Sequence, residues 1–157
     1  MHAGRVGNRF NLPPGAELLA PSAVAMSGNI WTDVKGEQPY DTPREMTVDD
    51  IATAVAEYGR AASLAIEAGF DGVEVHGANG YLITQFLDPG SNKRDDDYGG
   101  DATSRNRFAL DVAKAVINAT DARKARGIIS VFRPVANTPC TRLSSLRGVV
   151  SSSSPAP

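Results

Sequence analysis

Apolar positions recur at steps of three and four from Ile51 through Val55, Tyr58, Ala62, Ala65 and Ile66. That spacing paints one face of a helix, and it predicts a helix over 47–68. Thr47 is placed to cap its start. Asp50, three residues on, suits the positive end of the helix dipole, and Gly69 can close the other end in the left-handed conformation. The rhythm then changes. The run 70–75 holds Val73 and Val75 and predicts a buried strand that follows the helix directly. A helical turn is expected over 82–87. The residues Asp88–Gly100 read as a loop by composition. A second helix is expected from about Thr103 to Asn118, with Phe108, Val112, Ala115 and Val116 facing inward, then another strand over 127–132. Strand, long loop, helix and strand in that order are the grammar of a parallel sheet.

The two ends lack such rhythm. Residues 1–46 are rich in Gly, Pro and polar side chains, and so long an irregular stretch is unusual inside a compact domain. Beyond Pro134 no period of 2 or 3.6 survives, and the chain closes on Ser151-Ser152-Ser153-Ser154-Pro155-Ala156-Pro157. The expected division is an ordered part over 1–134 and a disordered tail over 135–157.

Composition narrows the class without naming it. The 157 residues are 41% hydrophobic and 22% charged, ordinary for a soluble globular domain. Sixteen basic against 18 acidic residues leave a net charge of −2. That gives no electrostatic case for nucleic acid or for an anionic membrane surface. Cys140 is the single cysteine, so no intrachain disulfide can form. No apolar run approaches the roughly 20 residues of a membrane span, and the first residues have no apolar core of a signal peptide. The expected location is cytoplasmic.

Candidate chemistry concentrates where the first strand ends. His76, Asn79 and Tyr81 sit in a glycine-punctuated turn at its carboxyl end, the end at which parallel α/β folds place their sites. A bland reading stands beside the catalytic one for each. His76 could be a satisfied strand-end histidine. Asn79-Gly80 is a common turn pair, and Tyr81 could be a core aromatic with a wet hydroxyl. Asp95, Asp96 and Asp97 read as a solvated acidic loop, because no further ligand converges on them to hold a metal. Arg94, Arg105 and Arg107 are expected to tie that loop to the second helix through carboxylates such as Asp97.

The ordered set His76-Gly-Ala-Asn79-Gly-Tyr81-Leu, Gln85-Phe86-Leu87, Ser91-Asn92-Lys93-Arg94-Asp95 and Asp97-Tyr98-Gly99-Gly100 closely resembles the old yellow enzyme family. Arg105-Asn106-Arg107-Phe108 resembles the helix that follows. Met1-His2-Ala3-Gly4-Arg5 resembles the end of the family's third barrel strand, and Ala20-Pro21-Ser22-Ala23 and Thr42-Pro43-Arg44 match further landmarks. The resemblance covers about residues 1–118. It implies an α/β fold, part of a TIM (β/α)8 barrel. It also implies FMN as cofactor, NAD(P)H as reductant and a small-molecule enone-type substrate. His76 and Asn79 would then bind the substrate carbonyl, and Tyr81 would supply the proton. A spacing of three across a turn can aim His76 and Asn79 at one point, and a phenol keeps its proton at neutral pH.

A complete barrel of this kind takes about 250 residues, so the chain is read as an incomplete barrel holding the middle third. No flavin-binding residue is assigned in it, and its oligomeric state is open. The stretch Gly127-Ile128-Ile129-Ser130-Val131-Phe132-Arg133-Pro134 departs from the family's next strand, whose arginine sits at a different offset from its glycine. A frameshift or a misjoined exon near 120–130 would account for this. Coding DNA with no alternative frame that restores the pattern would refute it. Two functions from different classes follow: an FMN-dependent reductase of activated C=C bonds, or an inactive remnant of one that does not bind FMN.

Overall fold

The computed structural model describes residues 2–120 and the backbone of 125–129. Short elements come first: β1 (Leu19–Ala20), β2 (Asn29–Thr32), β3 (Gly36–Pro39) and β4 (Arg44–Glu45). Then come α1 (Val48–Glu67), β5 (Val73–His76), α2 (Leu82–Leu87), α3 (Ala102–Thr120) and β6 (Ala125–Ile129). The expected tail over 135–157 and the last part of the strand expected over 127–132 lie outside the described residues.

Helix α1 begins and ends as its sequence dictates. Thr47 Oγ1 accepts from the Asp50 N–H at 3.1 Å, and Asp50 Oδ2 accepts from the Thr47 N–H at 2.7 Å, a reciprocal capping box. At the far end Gly69 has φ +93°. Its N–H donates to Ile66 O at 3.0 Å and that of Phe70 to Ala65 O at 3.1 Å, the paired bonds of a Schellman turn. This turn explains one departure from expectation. The Phe70 N–H is already spent on the helix, so the chain cannot enter the sheet there. The strand therefore spans 73–76, not 70–75. Phe70 is left 65% exposed, and His76 becomes the last residue of the strand rather than the first of the turn.

Strands β5 and β6 pair in parallel, Val73 with Ala125, Val75 with Ile128 and His76 with Ile129, with one irregularity between Val73 and Val75. Helices α1 and α3 cover them. Where the two helices meet, a Cβ on Gly59 would stand 3.3 Å from Ala115 O, so the missing side chain is what allows the approach. The buried face of α3 runs through Phe108, Val112, Ala113, Val116 and Thr120. Ala115, expected to face the core, instead stands only partly buried at the α1 crossing. On α1 the fully buried positions are Ile51, Ala54, Gly59 and Ala62, while Val55 and Tyr58 pack at the margin.

Residues 1–46 are less irregular than composition suggests. β2 and β3 form an antiparallel hairpin, Ile30 opposite Gln38 and Trp31 opposite Glu37. β1 and β4 pair in parallel, Leu19 with Arg44 and Ala20 with Glu45. Strands of two and four residues are too short to show period-two alternation, so the sequence conceals them.

Candidate active site at the carboxyl end of β5

Beyond His76 the chain reverses through Ala78-Asn79-Gly80-Tyr81. The Tyr81 N–H donates to Ala78 O at 3.4 Å, and Asn79 and Gly80 both have positive φ, +60° and +78°. Two left-handed residues in succession define a tight type I′ reversal, and Asn is the residue besides Gly that enters this region most readily. The reversal folds Tyr81 back toward the strand end. The His76 and Tyr81 rings lie 5.6 Å apart, tilted by 53°. Both are half-buried, and Asn79, at the tip of the turn, is exposed. The turn therefore keeps all three candidate side chains at one end of β5.

Helix α2 follows at once and anchors this turn. Leu82, Ile83, Gln85 and Phe86 are buried. Thr84 Oγ1 donates to Gly77 O at 3.0 Å, and the Leu82 N–H donates to His2 O at 3.2 Å. Gln85, a polar residue in an apolar run, donates from Nε2 to Gly80 O at 2.7 Å. Sequence reasoning assigned it no role; a glutamine set among the apolar residues Leu82, Ile83, Phe86 and Leu87 was the available signal.

The acidic loop proves structural. Asn92 Nδ2 bridges Phe86 O and Tyr98 O, each at 2.8 Å. The Arg94 guanidinium, with only 5% of its side chain exposed, pairs with Asp96 and donates to Pro21 O at 3.0 Å and to Met46 O. Arg107 meets Asp97 at 2.8 Å, as expected. The other two arginines depart from that expectation. Arg94 reaches across to β1 and β4, and Arg105 donates to the carbonyls of Leu87 and Gly100. Arg94 takes its carboxylate, Asp96, from within the loop and spends its remaining donors on the carbonyls of Pro21 and Met46, while Arg105 satisfies carbonyls at the ends of α2 and of the loop. Among the described residues no group of three His, Cys, Asp or Glu could hold a metal.

His2 is half-buried against Tyr58, ring centroids 5.1 Å apart, with Nε2 3.0 Å from Glu57. Burial lowers its pKa, and the nearby Glu57 carboxylate opposes that only in part. The imidazole is thus favoured neutral beside Glu57. Burial also raises the Tyr58 phenol. Between α1, β5 and α3 lies a cavity of about 160 Å³, lined by Tyr58, Ala62, Val73, Val75, His76 and Val116 among others. Strand β5 contributes to its lining as much as the helices do, and His76 stands at that lining.

A β5–turn–α2 unit with its polar groups at the carboxyl end of a parallel strand is the site architecture of a (β/α) barrel. The comparisons with known proteins agree. The NADH:flavin oxidoreductase / NADH oxidase family matches residues 7–138. The chain belongs to that family, the one its motifs resemble. It is 48% identical over 122 residues to a Leishmania infantum protein named for flavin mononucleotide-dependent alkene reduction, covering 75% of this chain and 33% of that one. It is 39% identical over 131 residues to 12-oxophytodienoate reductase 1 of Oryza sativa subsp. japonica, covering 83% and 33%. Its structure matches morphinone reductase in complex with tetrahydroNAD with a TM-score of 0.73 at 40% identity, covering 79% of this chain and 36% of that one. The fold is thus α/β and corresponds to part of a TIM barrel. The chain spans about a third of the length of these curated relatives. No helix among the described residues is long and apolar enough to cross a membrane.

Proposed function

We propose that this chain carries the substrate-polarising and proton-donating residues of an FMN-dependent reductase that saturates the C=C bond of α,β-unsaturated carbonyl compounds. The observation that carries the reading is the Asn79-Gly80 reversal, which gathers His76, Asn79 and Tyr81 at one strand end. His76 and Asn79 donate hydrogen bonds to the substrate carbonyl oxygen. They stabilise the negative charge that grows there as the β-carbon accepts hydride, on the logic of an oxyanion hole. Tyr81 gives its phenolic proton to the α-carbon, and solvent returns one to it. The donor set has no hydride of its own, which fits a redox cofactor as the second component. The flavin supplies that hydride when bound and is recharged by NAD(P)H. The described residues contribute the substrate side of such a site. Arg9, Arg94 and Arg107 are each engaged by a carboxylate, and no flavin-binding residue is assigned among them.

Titration of FMN with the purified chain, read by quenching of flavin fluorescence, tests the reading. Saturable binding at micromolar or lower concentration is expected. Enone consumption with NAD(P)H should follow, and Tyr81→Phe should slow it by about 10²-fold or more. No saturable binding would overturn the proposal and leave the remnant as the description of the chain. Unchanged turnover in Tyr81→Phe would remove Tyr81 as the proton donor.

A further inference from the structure

The geometry points to Gln85 as the positioning residue of this site, an inference that rests on the function just proposed. Its side chain is 2% exposed and uses both donors and its acceptor. Nε2 donates to Gly80 O at 2.7 Å and to Ala3 O at 3.0 Å, and Oε1 accepts from the Arg5 N–H at 3.0 Å. Only one orientation of the carboxamide satisfies all three, since a flipped group would set its oxygen against two carbonyl oxygens. The Gly80 carbonyl belongs to the peptide that leads into Tyr81. Fixing it fixes the plane from which Tyr81 departs, and the Gln85 N–H donates to Tyr81 O at 3.0 Å as well. One side chain therefore sets the reversal that carries Asn79 and Tyr81 in register with Ala3–Arg5, a segment about 80 residues away in sequence.

Gly4 completes the arrangement. It has φ +63°, and a Cβ there would overlap the Gln85 carboxamide. The glycine provides both the backbone conformation and the space in which the amide lies. Thr84 Oγ1 holds the His76 side of the turn at Gly77 O, and the His76 and Tyr81 rings approach each other without a hydrogen bond between them, so the placement of Tyr81 relative to His76 depends on the Gly80–Tyr81 peptide. A displacement of about 1 Å in such a set can cost about 10² in rate.

The test is a heteronuclear NMR spectrum of the full chain, which needs neither cofactor nor turnover. Gln85→Met keeps the volume and loses all three side-chain bonds. It should shift or broaden the ring signals of His76 and Tyr81 and change the Asn79 backbone coupling that reports its positive φ. Ser91→Ala serves as control, because it removes a buried hydroxyl that donates to Gln85 O at 2.9 Å without touching the reversal. It should leave those signals in place. Wild-type signals in Gln85→Met, or the same disturbance in Ser91→Ala, would overturn the inference. If Gln85→Met gives no dispersed spectrum, Gly4→Ala, which displaces the carboxamide, is read for the same signals with the same two outcomes. Where the chain turns over an enone, Gln85→Met should lower kcat by about 10- to 100-fold with FMN affinity within about twofold. A chain that binds no FMN fails the proposed function, while the NMR comparison still decides the role of Gln85.

Discussion

Phe86 on α2 and Phe108 on α3 stack with ring centroids 4.2 Å apart and planes inclined by only 22°, and neither has any exposed surface. Tyr98 meets the edge of Phe86, and Tyr58 that of Phe108, at 6.3 and 6.4 Å. This aromatic row joins α1, α2, α3 and the loop between the last two. Because α2 begins immediately after Tyr81, the stack is also the mount of the candidate site.

Truncating that stack should be costly. Phe108→Ala is expected to destabilise the fold by about 3–5 kcal/mol, the usual range for emptying a buried phenylalanine position. Phe108→Leu, which keeps much of the volume, should cost markedly less. Urea unfolding followed by far-UV circular dichroism measures both. A loss under 1 kcal/mol for Phe108→Ala would mean that the stack is not a supporting contact.

Arg94 makes a second prediction. Its guanidinium satisfies two backbone carbonyls, Pro21 O and Met46 O, while paired with Asp96. Arg94→Met would leave these acceptors and the carboxylate without their donor. The expected cost is about 2–4 kcal/mol, below the extreme for a buried pair because Asp96 remains a third exposed. Arg94→Lys should recover little, since an ammonium cannot reproduce the planar fork. Hydrogen exchange should quicken at the amides of Arg44 and Met46, which pair β4 with β1 through Leu18 O and Ala20 O. Unchanged exchange there would sever the proposed link between the loop and that strand pair.

Acid should unfold the chain through its carboxylates. The Arg44 guanidinium, with the Thr47 N–H and hydroxyl, holds the Asp50 carboxyl far below its ordinary range. Arg94 lowers Asp96 in the same direction, and Arg9 lowers Asp41. A carboxylate whose folded pKa is depressed favours the folded state fully above its unfolded value of about 3.9. That contribution disappears as pH falls through the folded value. Thermal midpoints should therefore change little with these groups above about pH 5 and drop below pH 4. In Asp50→Asn that acid limb should be shallower. A variant with the wild-type slope would show that Asp50 is not one of the groups responsible.

Legibility in the sequence followed the range of the interaction. Helix α1 could be read because its signals are local: the apolar spacing from Ile51 to Ala62, the Thr47–Asp50 pair and the Gly69 stop lie within a few turns of one another. The site motif was legible as well, since His76, Asn79 and Tyr81 fall within six residues. What escaped was set across distance. Arg94 was expected to tie the loop to the second helix through a carboxylate, but beyond Asp96 in its own loop its partners are the carbonyls of Pro21 and Met46, 73 and 48 residues away. Gln85 fell within the helical turn expected over 82–87, and only the fold brings Ala3 and Arg5 to it. The β2–β3 hairpin was hidden for a different reason. Its exposed and half-buried residues include Trp31, 69% exposed, so burial does not mark its strands.

Asn79 is where stability and the proposed chemistry should part. It occupies φ +60°, a conformation that disfavours a side chain with a Cβ by roughly 1 kcal/mol and from which glycine is exempt. Its exposure means that little packing is lost with the carboxamide. On fold alone, glycine would be the better residue, so Asn79→Gly should leave stability unchanged or raise it slightly. Asn79→Ala should lower it by about 1 kcal/mol, because alanine keeps the Cβ and lacks the short polar side chain that makes this region accessible to Asn. On the proposed chemistry the two variants are equal. Each removes one of two donors to the carbonyl oxygen, and each should reduce enone turnover by about 10²-fold or more, the usual effect of deleting one oxyanion donor. Melting curves and turnover measured on the same preparations separate the two roles. Turnover that tracks stability, with Asn79→Gly fully active, would make Asn79 a turn residue and nothing more. A glycine variant as stable as the wild type and nearly inactive would show that the carboxamide is kept for the substrate, at a position where the backbone alone would prefer none.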